Sequence, residues 1–244
     1  MSFIRADNGI LRIGTTDRVT ELSPANSYNH YSWHVMRACS DSLLKIKPGT
    51  TEVAPALAKD WEVGPQAKVY TFHLREDVTF TNGDPVTAED VKWSFERAMK
   101  LDGPEGGVFL IKGPIDTIEV MDEYTLKITL VEPNATFLKR VTGQVGPALV
   151  WNKNGTPADE FAMGEFVGVG PYRLEKYQPN QSVVFEAYED YYGEGPETIA
   201  LATRDESAIE TLKRNFSANN VNGTDTLGTV RTTETLDDVL EGAL

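Results

Sequence analysis

The chain has 244 residues, of which 40% are hydrophobic and 25% are charged, an ordinary composition for a soluble globular protein with a substantial core. Its 23 Lys and Arg against 37 Asp and Glu give a net charge of −14, which disfavours binding to nucleic acid or an anionic membrane, because phosphate contacts require clustered cations. Cys39 is the only cysteine, which excludes an internal disulfide, and no apolar run approaches the roughly 18 to 20 residues of a membrane-spanning helix.

The N-terminal part predicts a strand, a loop and a helix in that order. Apolar residues within Ile10 to Thr15 indicate a short strand that ends near Gly14. The next stretch, Asp17 to Tyr31, is rich in Ser, Pro, Asn and Tyr and predicts a loop. Ser32 can cap the helix that follows. The apolar face of this helix would comprise Val35, Met36, Cys39, Leu43 and Leu44.

A β-hairpin is predicted in the first half of the stretch from Pro55 to Met99. Trp61 and Val63 alternate with polar neighbours, and the run breaks at Gly64 to Ala67. The returning strand would place three large apolar groups on one face, namely Tyr70, Phe72 and Leu74.

The second half of this stretch predicts a tight turn and an amphipathic helix. Asn82 to Pro85 indicates the turn, because Asn and Gly tolerate positive φ and Pro fixes its own φ. Thr87 and Asp90 have the spacing of a capping box with the shorter acid. The apolar residues at helical spacing are Val91, Phe95, Ala98 and Met99.

Three later regions also predict regular structure. A Gly-rich connection, Leu101 to Gly113, leads to a second hairpin in Ile115 to Leu130. Strand formers on both sides of Gln178 to Gln181 predict a third hairpin. Further predicted elements are a strand at Glu197 to Ala202, a helix at Asp205 to Phe216 and a short acidic helix at Thr235 to Leu240.

Few residues carry chemistry on their own. His30 and His34 stand four apart and could share a helix face, but no third metal ligand is evident, so surface or ligand-contacting histidines are the alternative. We expect a surface or cross-strand role for His73 and a small buried apolar role for Cys39. No catalytic residue is assigned, because three histidines and one cysteine form no recognisable Ser/His/Asp or Cys/His arrangement.

The residue order of Pro55 to Met99 resembles a known signature. The string P-A-L-A-x-x-W-E-V, followed by Y-T-F-H-L-R-E-D-V-T-F-T-N-G-D-P-V-T-A-E-D-V-K-W-S-F-E-R-A, closely resembles the family 5 extracellular solute-binding proteins, the oligopeptide-, dipeptide- and nickel-binding receptors of ABC importers. Leu22 to Pro24, followed by a helix ending near Leu44, agrees with the family. Gly168 to Leu174 resembles the family's G-T-G-P-Y strand.

Asp190 to Pro196 resembles the family's N-x-x-Y-W-G-x-x-P, with Tyr192 in place of the common tryptophan. For both Tyr191 and Tyr192 we prefer aromatic surface packing over contact with a ligand. Beyond Ile199 the likeness thins, and the last residues do not match the family.

The resemblance implies a mixed α/β fold, a lobe like those of type II periplasmic binding proteins with a mixed sheet and an inserted hairpin-plus-helix subdomain. Residues 1–46 and 165–203 would form the discontinuous core of lobe one. Residues 47–164 would form the inserted accessory subdomain, and 204–244 an unmatched C-terminal segment, the start of a crossover or a rearranged end. Because full-length members have a second lobe, the chain looks like lobe one alone.

In the resembling family, the first strand, the loop after it and the start of the next helix border the ligand cleft, as does the Gly-rich connection. The ligand-binding residues implied here are Thr16, Asp17, Ser27, Tyr28, Tyr31, Trp33 and Phe109. Ordinary loop polarity is the alternative for Thr16, Asp17 and Ser27, and core or interface packing for Trp33 and Phe109. No metal ligand and no cofactor are assigned.

The implied function is the substrate-binding component of an ABC importer, which captures a peptide or similar small solute between two lobes without making or breaking a bond. Its partners would be that ligand and an ABC permease in the membrane, and not nucleic acid. A second hypothesis is a non-catalytic interaction module, a half-receptor that self-associates or docks on a permease through uncovered apolar area. A hydrolase has little support.

Family membership would also imply a periplasmic or extracellular location, with a signal or lipid anchor in the full-length form. The first residues, M-S-F-I-R-A-D-N-G-I-L-R-I-G, lack the basic and apolar regions of a secretory signal. We therefore expect a trimmed chain with a new start methionine, and a cytoplasmic protein is the alternative.

Overall fold

The structure, a computed structural model, describes residues 11–15, 19, 22–24, 30–47, 49–101, 109–143, 148–156, 164–179, 182–193 and 199–203. In chain order its elements are β1 (Leu11–Thr15), α1 (His30–Cys39), β2 (Leu44–Ile46), β3 (Val53–Pro55), β4 (Ala58–Val63), a 3₁₀ turn (Pro65–Ala67), β5 (Val69–Leu74), α2 (Ala88–Leu101), α3 (Phe109–Lys112), β6 (Ile115–Asp122), β7 (Thr125–Leu130), α4 (Phe137–Arg140), β8 (Tyr172–Gln178), β9 (Ser182–Ala187) and β10 (Ile199–Thr203).

The chain divides into two compact units. Unit 1 contains the described parts of Met1–Thr20, Leu174–Ala187 and Pro196–Leu244, and unit 2 contains those of Glu21–Arg173 and Tyr188–Gly195. The predicted division into 1–46 with 165–203, 47–164 and 204–244 stays a prediction. The predicted helices at Asp205 to Phe216 and Thr235 to Leu240 lie outside the described residues.

Strands β1, β10, β9 and β8 form a four-stranded mixed sheet in that order. The N-terminal strand β1 is parallel to β10, with Leu11 opposite Ile199, and β10 is antiparallel to β9. Val183 and Phe185 alternate along β9 and are fully buried, as expected for a strand with one face on a core. The Tyr177 hydroxyl donates a hydrogen bond to the Val19 carbonyl at 2.8 Å. The predicted strands at Ile10 to Thr15 and Glu197 to Ala202 are confirmed within one or two residues.

A second four-stranded sheet, in the order β4, β5, β7, β6, is antiparallel throughout and belongs to unit 2. Phe72 stands opposite both Trp61 and Leu126, so that large apolar groups lie side by side across three strands. Six alternating residues of β5 and β7 are almost fully buried, namely Tyr70, Phe72, Leu74, Leu126, Ile128 and Leu130. The hairpins predicted from residues 55–74 and 115–130 are therefore confirmed.

Helix α2 contributes its apolar stripe to the same core, in which Val91 and Phe95 are fully buried. At its N-terminus the Asp90 carboxylate accepts hydrogen bonds from the Thr87 amide at 3.1 Å and from the Thr87 hydroxyl at 2.6 Å. The capping pair is therefore present, although the threonine hydroxyl donates to the acid instead of accepting from the helix. The preceding turn is also confirmed, with Gly83 at φ +89°.

Helix α1 differs from the sequence expectation at both ends. It begins at His30, so Ser32 lies within its first turn and is not its N-cap; Tyr31 and Val35, one turn apart, are both buried and continue the apolar face toward the N-terminus. It ends at Cys39, so the buried Leu43 and Leu44 lie beyond the helix. Across the described ranges, no helix is long and apolar enough to cross a membrane.

Candidate ligand-binding wall around helix α1

The predicted ligand residues fall on three parts of the chain. Thr16, Asp17, Ser27 and Tyr28 lie outside the described residues, so their roles stay predictions. Tyr31 and Trp33 lie in the first turn of α1, and Phe109 is the first residue of α3.

The first turn of α1 carries a small aromatic group. Tyr31 is 5% exposed and Trp33 is 7% exposed, whereas His34 is exposed. The ring centroids of Tyr31 and His34 are 6.5 Å apart. Both predicted aromatic residues are thus almost completely buried, and their contact with a ligand stays a prediction.

The other end of α1 is fixed by three consecutive polar residues, Ser40, Asp41 and Ser42, here called the junction. The Ser40 hydroxyl donates to the Val150 carbonyl, and the Val150 amide donates to the Asp41 carbonyl at 2.9 Å. The Ser42 hydroxyl lies 2.8 Å from the Val141 carbonyl and 2.6 Å from the Ala148 carbonyl and shares its single proton between them. Both serines are buried, so these bonds hold distant segments at the end of the helix.

Two glycines allow the segment before β8 to approach the end of α1 at backbone distance. A Cβ atom on Gly168 would lie 1.9 Å from the Cys39 carbonyl oxygen, and one on Gly170 would lie 2.5 Å from the Ser40 nitrogen. The Gly170 amide donates to the Cys39 carbonyl at 2.9 Å, which satisfies one of the unpaired carbonyls at the helix end. The G-V-G-P-Y sequence is thus explained by close packing, since only glycine leaves room there.

The Asp41 side chain binds the segment that follows β9. Its Oδ2 atom accepts hydrogen bonds from the Tyr191 hydroxyl at 2.7 Å and the Tyr192 hydroxyl at 2.8 Å. The two rings contact each other with centroids 4.8 Å apart. Tyr192 packs against the main core of unit 2, and the Arg75 guanidinium lies 5.4 Å from its ring centroid. The preferred interpretation of both tyrosines as packing residues fits this geometry, but their hydrogen bonds to Asp41 were not foreseen.

A further polar network fixes the turn before α2 to the segment after Trp151. The Asn152 amide nitrogen donates to Asp84 at 2.8 Å, and its carbonyl oxygen accepts from the Asn154 and Gly155 amides, each at 2.8 Å. The Lys153 amide donates to Asp90 at 3.2 Å. Asn152 is 2% exposed, and its side chain therefore uses its donor and acceptor capacity inside the protein.

The remaining reactive groups occupy structural positions. Within the part of the chain that the structure describes, no group of three or more His, Cys, Asp and Glu residues is arranged to hold a metal ion. Cys39 is buried, and this burial raises the pKa of its thiol, which keeps it protonated and unreactive. His73 lies in β5 with its Nε2 atom 3.8 Å from Asp60 and 3.9 Å from Glu62, the cross-strand role expected for it.

Sequence reasoning missed the junction because Ser40, Asp41 and Ser42 carry no motif, and their partners lie about 100 residues or more away in sequence. The sequence offered an indirect signal for this contact. The two glycines of Gly168 to Gly170 indicate a close backbone approach, but not which element is approached.

Comparison with known proteins identifies the family. The model of the bacterial extracellular solute-binding proteins, family 5, matches residues 52–209, more than half of the chain. A probable D,D-dipeptide-binding periplasmic protein of Escherichia coli (strain K12) is 31% identical over 215 residues, which cover 84% of this chain and 41% of that protein. The dipeptide-binding protein DppE of Bacillus subtilis (strain 168) is 30% identical over 201 residues, 75% of this chain and 36% of that protein.

Solved structures agree. The ABC transporter-associated periplasmic binding protein DppA of Helicobacter pylori, in complex with the peptide STSA, is 27% identical with a TM-score of 0.73, and the match covers 86% of this chain and 45% of that one. The matched part of the chain covers 36% to 45% of the length of these relatives. The predicted mixed α/β fold of a type II-like periplasmic binding protein is confirmed. The chain belongs to the family 5 extracellular solute-binding proteins.

Proposed function

We propose that this chain supplies one wall of a solute receptor of an ABC importer and that the solute is a dipeptide or a similar small peptide. The observation that supports this most is the family match over residues 52–209. The two relatives compared above are named for binding dipeptides. Receptors of this kind bind and release their solute unchanged, so the proposal includes no catalytic residue.

The described structure supports a binding role through the rigidity of its scaffold. Helix α1 is anchored at its C-terminal end by the junction and by the Gly168–Gly170 contact. A helix held in this way keeps its first turn in one position, so little ordering would remain to be done when a ligand binds beside it.

The remaining predicted residues would supply the polar contacts. A peptide has a positive amino terminus, and the Asp17 carboxylate could accept charge-assisted hydrogen bonds from it. Thr16, Ser27 and Tyr28 would offer hydroxyl groups, while Phe109 would add an aromatic surface. One wall buries much less of a ligand than two, so we expect weak binding by this chain alone.

Saturation-transfer NMR can test the proposal with D-Ala-D-Ala, L-Ala-L-Ala and an acetylated, amidated dipeptide as probes. We expect saturable, millimolar binding of the two charged peptides and not of the capped one. Asp17→Asn should abolish the signal. The matched control is Asp116→Asn, which changes an exposed acid at the start of β6 and should leave the signal unchanged.

Two outcomes would contradict the proposal in different ways. Micromolar affinity of this chain alone, measured by calorimetry, would contradict the idea of a single open wall. If neither this chain nor the chain joined to a second lobe of a relative bound any peptide or metal chelate, the receptor role itself would be wrong.

The proposal extends to location and partners. Relatives of this chain are periplasmic or extracellular binding proteins. We propose the same compartment here, reached through a signal or lipid anchor of the full-length form, with an ABC permease as the membrane partner. The second hypothesis, self-association of the chain as an interaction module, stays a prediction. Sedimentation of a strictly monomeric species at high concentration would count against it.

A further inference from the structure

The segment Tyr188–Gly193 connects β9 to β10, yet it belongs to unit 2, whereas these two strands belong to unit 1. It is held in unit 2 largely by its tyrosines. The Tyr188 amide donates to the Pro171 carbonyl at 2.9 Å. The Tyr188 hydroxyl lies 3.0 Å from both the Phe80 carbonyl and the Thr79 hydroxyl, which are neutral partners.

The other two tyrosines of the segment have a charged partner. Tyr191 and Tyr192 both donate to the same oxygen of Asp41, which is partly buried between α1 and β2. The charged groups that act on this carboxylate are Arg37 on α1 and Lys45 on β2. On the far side, Arg75 stacks on the Tyr192 ring.

We propose that Asp41, Tyr191 and Tyr192 form a pH-sensitive latch, which holds the segment Tyr188–Gly193 more tightly when Asp41 is protonated and more loosely when it is ionised. The latch is closed in the structure described here. The proposal is independent of the identity of the solute.

The direction of the effect follows from opposing terms at Asp41. Burial raises the pKa of its carboxyl group, because the charged form loses hydration. The two tyrosine hydroxyls and the charges of Lys45 and Arg37 lower it, but they do not fully offset burial. Burial also raises the pKa of Tyr191 and of Tyr192, so both remain hydrogen-bond donors over the whole range in which Asp41 titrates.

The linkage between protonation of Asp41 and closure of the latch gives the sign of the pH dependence. In the open latch Asp41 is hydrated and its pKa returns to about 3.9, whereas closure raises that pKa. Protonated Asp41 therefore stabilises the closed latch. This stabilisation is fully present below about pH 3.9 and is lost as the pH rises through the raised pKa of the closed state. Above the raised pKa the hydrogen bonds still close the latch, but against the cost of a buried charge.

Hydrogen exchange read by mass spectrometry on the whole chain tests the latch. Protection of the peptide that spans 188–193, corrected for the intrinsic dependence of exchange on pH, should fall severalfold between pH 4.5 and about 8. In Asp41→Asn, which keeps a neutral acceptor, we expect protection that no longer varies with pH and that at neutral pH is at least that of the wild type.

Two controls separate the latch from general stability. Tyr188→Phe removes a hydroxyl with neutral partners, so it should lower protection by a similar factor at every pH and leave the pH dependence intact. Peptides from β5 and β7, in the core of unit 2, should show no matching pH dependence. Protection of 188–193 that is flat, or that rises with pH in the wild type, would overturn the proposal, as would an unchanged pH dependence in Asp41→Asn.

Discussion

Unit 2 is held together in two different ways, by an apolar core between its sheet and α2 and by the polar junction at the end of α1. Among the described residues, 25 buried side chains belong to this core and support one another, and no single atom decides its geometry. At the junction, single hydroxyls bond segments about 100 residues or more apart, and beside it Gly168 and Gly170 allow a close backbone approach because they have no Cβ atom. Substitutions in the core should therefore cost stability in proportion to the side-chain volume that they remove. At the junction the cost should depend on which single atom is removed or added.

The largest effect should come from the core. Phe72→Ala removes a fully buried ring that stands opposite Trp61 and Leu126, and we expect a loss of about 4 kcal/mol in the free energy of unfolding. Denaturation in urea followed by circular dichroism measures it. Val63→Ala, on the same sheet but 51% exposed, is the control and should cost less than about 0.5 kcal/mol. Similar losses at both positions would show that the core is not as cohesive as described.

Gly168→Ala tests the close backbone approach at the end of α1 by adding one carbon. Its Cβ would stand 1.9 Å from the Cys39 carbonyl oxygen, so α1 or the segment before β8 must shift, at a cost of about 3 kcal/mol. The control is Gly83→Ala, where the added Cβ meets nothing within 4 Å and only the positive φ is strained, for about 1 kcal/mol. Equal melting temperatures of the two variants would contradict the close approach at Gly168.

Ser42→Ala removes the hydroxyl that two carbonyls share and leaves the Val141 and Ala148 oxygens with a weaker set of partners. Since the site is buried, we expect a loss of about 2 kcal/mol. Thr50→Ala, which removes an exposed hydroxyl bonded to the nearby Lys47 carbonyl, should cost much less. Local hydrogen exchange at residues 141–143 should rise only in Ser42→Ala; an unchanged rate there would place the stabilising contact elsewhere.

The smallest expected effect is a gain in stability. Gln66 adopts φ 60° in the turn between β4 and β5, a left-handed conformation that is unfavourable for an exposed residue with a side chain. Gln66→Gly should relieve this strain and stabilise the protein by about 0.5 kcal/mol, less than the strain itself because glycine also gains freedom in the unfolded state. Gln66→Ala keeps the Cβ and should not stabilise. A lower melting temperature for the glycine variant would contradict this account.

The contrast between the core and the junction also explains which parts of the fold could be predicted from the sequence. The hairpins around Gly64 and Met121 and the helix after Thr87 arise from local alternation, turn residues and caps, so a short window of sequence contains their cause. No short window contains the cause of the junction, because nothing near Ser42 in the sequence indicates that its hydroxyl will bond to the Val141 carbonyl. For the ligand residues, the resemblance supplied the choice, and the burial of Tyr31 and Trp33 is a property of packing that no local pattern encodes.

The pairing of β1 with β10 has a consequence for folding order. Leu11 pairs with Ile199, so this contact closes a loop that contains nearly the whole described chain, and its entropic cost must be met before the contact contributes stability. At a synthesis rate of about 5–20 residues per second, the first strand would wait roughly ten to forty seconds for its neighbour. Until then the edge of β1 that pairs with β10 would be unpaired, which is an opportunity for a chaperone and a risk of aggregation.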